Sequence, residues 1–312
     1  MSDLTCGIDI GGTKIAGAVV DEDGTIVAHE RVESPATDTD AIVTAITGLV
    51  GSLGAQHPVT RVGIGAAGYI DAGRAVVMFA PNIAWRDEDL RDVVEKRVEL
   101  PVVVENDANA AAWGEFAFGA GKDVDDMLMV TVGTGVGGGL VLGGHLYRGG
   151  FGAAGEIGHL RVVPEGRLCG CGNLGCLEQY ASGSALVKRT RELADRPEAA
   201  ALLDRVGGDL TRVDGPLVTR AARDGDPFAV DRLAEVGRWL GEALASLAAV
   251  LDPSVTVVGG GVSEAGDLLL EPAREAFARE LTGRGHRPAM EIRRATLGND
   301  AGVVGAGDLA RR

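Results

Sequence analysis

The chain has 312 residues, 46% of them apolar but only 4% aromatic, which suits about two domains with cores of Ala, Val, Leu and Gly. Its net charge of −15, with no basic helix or cluster to offset it, argues against a nucleic-acid groove, and no stretch reaches the roughly 18 consecutive apolar residues of a membrane span. The opening MSDLTCGIDI lacks a positive n-region and a long apolar run, so export is not expected and the cytoplasm is the expected location.

Residues 5–28, TCGIDIGGTKIAGAVVDEDGTIVA, predict a strand, a glycine turn, a second strand, a DEDG turn and a third strand. In the first turn, Gly11, Gly12, Thr13 and Lys14 offer backbone N–H groups of the kind that hold phosphates, and Asp9 just before them could hold a hydrated Mg2+. A plain hairpin turn with a strand-end Asp fits the same residues. The scheme recurs at 129–148, MVTVGTGVGGGLVLGGHLYR, where Gly11 falls on Gly133 and Val20 on Leu142 at a constant offset of 122, so the chain reads as a duplication. Two such hairpins facing across a cleft, the second bringing Gly133, Thr134 and Gly135, would grip a polyphosphate from both sides. GTGVGG at 133–138 also fits the dinucleotide fingerprint, but a strand follows the glycines where that fold needs a helix, and no P-loop motif occurs.

Between the hairpins, Asp38 to Ser52 has helical spacing, and RVGIGAAGYIDAG predicts a strand and a small-residue turn in which Gly65, Ala66 and Gly68 permit close backbone approach. PNIAWRDEDL at 81–90 reads mainly as a loop with an exposed Trp85, ahead of a helix. PVVVENDANAAAWGEF at 101–116 predicts a buried strand ending in Glu105-Asn106-Asp107 and an alanine-rich helix. Either Asp107 caps that helix, or Asn109 does and Asp107 projects from the strand end, where open α/β sheets place ligands.

The densest chemistry lies in EIGHLRVVPEGRLCGCGNLGCLE, residues 156–178. His159, Cys169, Cys171 and Cys176 are separated by nine, one and four residues, with glycines to let the backbone turn, and three thiolates with one imidazole make a closed, structural zinc site. A disulfide pair with a spare thiol is the alternative. Glu156 and Glu178 frame the cluster and would be held rigidly by it. Cys6, outside the cluster, is read as a small buried hydrophobe. Beyond it, YASGSALVKRTREL opens a helix capped by Ser182 or Ser184, and 190–235 reads as surface helices. A long helix at about 230–251 ends at Asp252-Pro253, and VTVVGGGVSEAGD predicts a buried strand, a triple glycine and a helix capped by Ser263 or nearby. Gly259, Gly260 and Gly261 suit a flat adenine lying on the backbone, or close helix packing. ATLGNDAGVVGAGDLARR reads as a final helix packing back on the first half.

Taken together, DIGGTK, END, GTGVGGG, EIGH and CGCGNLGCLE, in that order along the whole chain, resemble the ROK family (repressor, open reading frame, kinase), and within it the bacterial glucokinases. The resemblance implies an α/β actin-like ATPase (ribonuclease H-like) fold of two duplicated domains around a central cleft: a smaller one, 1–108 completed by the helix 299–312, and a larger one, 109–298, with domain closure on sugar binding. It implies transfer of a phosphoryl group from ATP, with Mg2+, to a hexose. Asp107 matches the general base, while Gly65, Asn106, Glu156, His159 and Glu178 match positions that bond sugar hydroxyls. His159 would give one ring nitrogen to zinc and the other to the sugar. EIGH points to glucose as substrate; mannose, allose, fructose and N-acetylmannosamine kinases share much of the pattern, as would a non-catalytic sugar sensor. Some relatives use polyphosphate, but the acidic chain shows no extended basic groove and ATP is the expected donor. ROK repressors carry an added DNA-binding domain, for which a first strand beginning at about residue 4 leaves no room. Family members are commonly dimers or tetramers.

Overall fold

The amino-terminal meander forms as its turns dictate: β1 (Thr5–Ile10), β2 (Lys14–Val20) and β3 (Ile26–Glu33) are antiparallel neighbours. This computed structural model describes residues 3–80 and 83–312. Asp38 caps α1 (Thr39–Gln56) by accepting from the Ala41 N–H at 3.0 Å, and the helix lays Ile42, Ile46, Leu49 and Leu53 onto a core shared with Ile8, Ile10 and Ile15. There follow β4 (Arg61–Ala66), a small antiparallel sheet of β5 (Tyr69–Ile70), β6 (Val77–Phe79) and β7 (Arg86–Glu88), then α2 (Leu90–Val98), β8 (Val102–Asn106) and α3 (Asp107–Phe118). The main sheet has the order β3-β2-β1-β4-β8, with β1, β4 and β8 parallel.

Trp85 departs from expectation. It is fully buried in the first core, not exposed, because β7 pairs with β6 and folds the end of the supposed loop inward. A tryptophan side chain has too much apolar surface to stay wet when a neighbouring sheet can cover it. Pro81 and Asn82 of that stretch lie outside the described residues.

The duplication is explicit in the backbone. β9 (Met127–Val132) and β10 (Val136–Leu142) start and stop at the residues of β1 and β2 plus 122: 5 and 10 become 127 and 132, and 14 and 20 become 136 and 142. The likeness ends at the third strand, since β11 (His145–Tyr147) has three residues against eight in β3. The helices that follow are α4 (Glu178–Ala181), α5 (Gly183–Glu192), α6 (Ala200–Asp204), α7 (Gly215–Arg223) and α8 (Pro227–Leu251), then β12 (Val255–Gly259), α9 (Asp267–Glu280), β13 (Glu291–Arg294) and α10 (Ala301–Leu309). The second five-stranded sheet runs β11-β10-β9-β12-β13.

Ser182 caps α5 by accepting from Ala185 N–H at 3.0 Å, and α8 begins three residues earlier than its apolar spacing suggested because Asp226 caps it with Pro227 in the first position. Ser263 caps no α-helix. Gly260, at φ +80°, turns the chain into a short 3-10 segment, Gly261–Ala265, within which the Ser263 hydroxyl donates back to Gly260 O at 2.7 Å, and Gly266 precedes α9.

Contacts divide the chain into two compact units, residues 1–129 with 138–155 and 296–312, and residues 130–137 with 156–295. In the first, α10 returns onto the amino-terminal half as expected. It lies so close that a Cβ on Gly63 would stand 1.8 Å from Ala306 O, and one on Gly305 1.8 Å from Ala110 O. Trp113 Nε1 donates to Asp308 Oδ2 at 2.8 Å across the same packing. Among the described residues no helix is long and apolar enough to cross a membrane.

Candidate active site

In the first unit, parallel registry brings the assigned residues to one edge of the sheet. Asp9 of β1 pairs with Gly65 of β4, Gly65 with Glu105 of β8, and Ala66 with Asn106. This is the carboxyl end of the strands, where parallel sheets present ligand-binding groups. Asn106, and neither Asp107 nor Asn109, is the cap of α3: its Oδ1 accepts from Asn109 N–H at 3.0 Å while its Nδ2 donates to Gly68 O at 3.0 Å. The strand ends one residue before the carboxylate, so Asp107 becomes the first helical residue and is left off the capping task. Its Oδ1 accepts from Ala108 N–H at 2.9 Å.

Burial pushes the Asp107 carboxyl above the ordinary range, against the pull of the Ala108 and its own backbone N–H groups. Asp9 is pushed up to about 7, by burial first and then by the charge of Asp107. Two carboxylates raised in this way form a pocket of latent negative charge that a divalent cation would relieve. The amino-terminal turn of α10 is beside it, since a Cβ on Gly302 would lie 3.0 Å from the Asp9 carboxylate. The neighbouring turn closes through Gly11 N–H to Lys14 O at 3.0 Å and leaves Gly12, Thr13 and Lys14 exposed at its tip.

In the second unit the four metal-ligating residues converge. The ligand atoms of His159, Cys169, Cys171 and Cys176 all lie within 4.8 Å of one another, with Cys171 Sγ to Cys176 Sγ and Cys169 Sγ to His159 Nδ1 each at 3.7 Å. A tetrahedral Zn2+ with bonds of about 2.3 Å to sulfur has ligand–ligand edges of about 3.7 Å, so the set fits zinc, whereas sulfur atoms so separated are not a disulfide, which needs about 2.05 Å. All four cysteines, Cys6 included, are free. Burial, followed by the neighbouring Cys171 and Cys169 thiols, pushes Cys176 up to about 12, as expected of crowded thiols that need a cation to ionise together. Since Nδ1 faces the sulfur atoms, Nε2 is the nitrogen left to point elsewhere, and it stands 3.9 Å from Glu156 Oε2.

Glu178 links the cluster to the second glycine turn. Its Oε2 accepts from Val136 N–H at 3.1 Å, its Oε1 stands 3.8 Å from Cys169 Sγ, and a Cβ on Gly135 would come within 2.3 Å of that Oε2. The turn itself is held by the start of α5, with Gly183 N–H donating to Gly133 O at 2.8 Å and Ser184 N–H to Thr134 O at 3.3 Å. Gly133, Thr134 and Gly261 line a cavity of about 1240 Å³ together with Gly183, Ser184, Gly215 and Pro216. Gly259 and Gly260 are instead packed into the fold: Gly259 ends β12, and a Cβ on Gly260 would lie 2.6 Å from Val132 O.

Residue-by-residue reading missed the cations of this cavity. Lys188 and Arg191 of α5 and Arg220 and Arg223 of α7 line it, although YASGSALVKRTREL read only as a capped helix and 190–235 as plain surface helices. The signal was present in their spacing, three residues apart in each helix, which puts each pair on one helical face. Arg148 was also missed: its Nε is 2.5 Å from Oε2 of the buried Glu105.

The pattern of the ROK family matches residues 5–312. The glucokinase of Streptomyces coelicolor is 53% identical over 310 residues, covering 99% of this chain and 98% of that protein. The crystal structure of a ROK family glucokinase from Streptomyces griseus, in complex with glucose and AMPPNP, superposes with a TM-score of 0.91 at 55% identity, covering 99% of each chain. The ROK hexokinase of Thermus thermophilus does so at 0.82 and 36% identity, covering 99% of this chain and 98% of that one. The α/β fold is thus the actin-like ATPase fold of these sugar kinases. From the strand-end carboxylates to the three-cysteine, one-histidine cluster and the match along its length, the chain belongs to the ROK family.

Proposed function

We propose that this chain is an ATP-dependent glucokinase, transferring the γ-phosphoryl group to the 6-hydroxyl of glucose to give glucose 6-phosphate. The observation that carries the reading is Asp107: a carboxylate at a strand end, relieved of helix capping, with a raised pKa, in a chain whose Streptomyces relatives are glucokinases. Asp107 accepts the proton of the 6-hydroxyl as its oxygen attacks phosphorus. Asn106, Gly65, Glu156, His159 and Glu178 hold the other hydroxyls, and sites built from such groups discriminate strongly against an epimer that leaves a carboxylate unpaired. The turns at Gly11, Gly12, Thr13 and Lys14 and at Gly133, Thr134 and Gly135, with Gly261 in the wall of the cavity, take the nucleotide, while Gly259 and Gly260 allow the close packing that sets Gly261 there. Asp9 would hold Mg2+ with ATP, where such an ion would supply charge neutralisation to the phosphates. His159, Cys169, Cys171 and Cys176 hold a structural Zn2+, which fixes the backbone between Glu156 and Glu178.

The division into 1–108 with 299–312 and 109–298 belongs to the same proposal, as do a cytoplasmic location and a homo-oligomer, dimer or tetramer, which light scattering would size. A coupled ADP-release assay over a panel of hexoses tests the function. Glucose is expected to give the highest kcat/KM with ATP. Faster turnover of mannose, allose, fructose or N-acetylmannosamine would reassign the substrate, and sugar binding without ADP release would make the chain a sensor.

A further inference from the structure

Glu105 is a buried carboxylate that no step of the proposed reaction uses, and its contacts with Asn106, Asn109 and Arg148 lead to segments that the reaction does use. Its Oε1 accepts from the backbone N–H of Asn106 at 3.1 Å and from Asn109 Nδ2 at 3.0 Å. These two bonds fix the junction of β8 and α3 on which Asp107 stands. Its Oε2 takes Arg148 Nε at 2.5 Å, with Arg74 Nε at 3.6 Å. Arg74 is in turn tied down: it sits at φ +57° in a turn whose Asp71 carboxylate accepts from Gly73, Ala75 and Val76, its carbonyl takes the Val104 N–H at 3.1 Å, and its guanidinium donates to Leu309 O at 3.2 Å.

Arg148 begins the glycine-rich segment 148–155 that leads directly into Glu156. The segment is fastened at both ends and in the middle. Ala154 N–H donates to Arg148 O at 3.0 Å. A Cβ on Gly152 would lie 2.4 Å from Ile70 O, and one on Gly155 2.9 Å from Gly138 O. Glycine has little conformational preference of its own, so a run containing Gly149, Gly150, Gly152 and Gly155 holds one shape only where outside contacts impose it. The side-chain anchor is Arg148 on Glu105. A buried ion pair is a poor source of stability, since well-packed apolar residues of the same volume commonly do as well or better. What it does supply is a fixed direction, through a charge-assisted bond of defined geometry.

We infer that Glu105 and Arg148 are positioning residues for the phosphoryl acceptor: their ion pair locks the segment entering Glu156 to the strand end carrying Asn106 and Asp107. This rests on the proposed sugar site, and it assigns neither residue any contact with glucose. The pair sets where the sugar hydroxyls are held and leaves the ATP-binding turns alone.

The test uses the full-length, zinc-loaded protein and initial rates with glucose varied at saturating ATP and ATP varied at saturating glucose. In Arg148→Met the KM for glucose is expected to rise about tenfold or more while the KM for ATP stays within about twofold. Arg148→Lys should recover part of the loss, and the double variant Arg148→Met with Glu105→Gln should be no worse than Arg148→Met alone, because the two act as one unit. A purely structural pair behaves differently: its loss lowers the active fraction, so the apparent kcat falls and neither KM moves. An unchanged KM for glucose in folded Arg148→Met, at whatever kcat, overturns the inference. If Arg148→Met does not fold, Arg148→Lys and Glu105→Gln carry the same comparison of the two KM values, with the same result deciding it. A wild-type protein showing no glucose-dependent ADP release would instead remove the functional reading itself, before any variant is made.

Discussion

The two glycine hairpins share strand limits to the residue, yet the chain has given them different work. In the first, β1 carries Asp9, whose counterpart at the 122 offset is Thr131, and the turn tip is exposed. In the second, the turn is clasped by the start of α5 and by Glu178, and it lines a cavity walled by Lys188, Arg191, Arg220 and Arg223. Duplication copied a strand–turn–strand backbone. Divergence then placed raised carboxylates, suited to a cation and a proton, beside one copy, and four cations against the two carboxylates Glu192 and Glu264 beside the other. The lesson is that a shared strand–turn–strand backbone does not fix a role, because the side chains placed beside each copy differ in charge.

The comparison breaks most severely at the carboxylates of the first unit. Asp107→Asn removes the proton acceptor and keeps the shape, so kcat/KM is expected to fall on the order of 10²–10⁴-fold in a coupled assay, with glucose binding retained by calorimetry. On the second unit, Cys176→Ser should lose zinc by elemental analysis and cost roughly 10–100-fold in activity, chiefly through the KM for glucose, because Glu156, His159 and Glu178 lose their common support. Gentler still is the loss of one cavity cation: Lys188→Met should raise the KM for ATP about 2–10-fold and leave that for glucose unchanged.

Asp9 sharpens the contrast through pH. Its folded pKa, about 7, lies above the ordinary aspartate value of 3.8, so the folded state prefers the protonated acid. The unfolded state therefore releases its proton more readily, and the metal-free protein should lose stability as pH rises from about 4 to 7, this group costing on the order of 4 kcal/mol once fully ionised. Asp9→Asn should then unfold later than wild type in urea at pH 8 without Mg2+, while losing activity. Equal stability of the two proteins at pH 8 would falsify the assignment. The smallest effect belongs to the turns. Gly133→Ala meets no protein atom and should leave stability in urea unchanged, whereas Gly135→Ala drives a methyl group into the Glu178 carboxylate and should weaken glucose binding measurably by calorimetry.

Local patterns made the hairpins, their offset and the zinc ligands legible. Turn glycines and metal-ligand spacing act over a few residues, and little elsewhere can overrule them. What the chain does across long separations was not legible. Trp85 reads as exposed until β6 pairs with β7 and covers it. Asn106 takes the cap from Asp107 and Asn109 only because Gly68 O, on another loop, also holds its amide. The same limit hid the role of the cavity cations, whose helices bury one face in the core and line the cavity with the exposed one, and hid Arg148, whose partner is 43 residues away. The site could be read in sequence where its chemistry is concentrated, and not where a carboxylate or a guanidinium merely holds that chemistry in place.

The most direct test of the account follows the transferred phosphorus by 31P NMR during incubation of the zinc-loaded protein with glucose, ATP and Mg2+. The account predicts a single new phosphomonoester signal coupled to the two protons on carbon 6, appearing as ATP is consumed and absent from the same incubation with Asp107→Asn. A signal on another carbon of the sugar, or one that grows as fast with Asp107→Asn as with wild type, would contradict it.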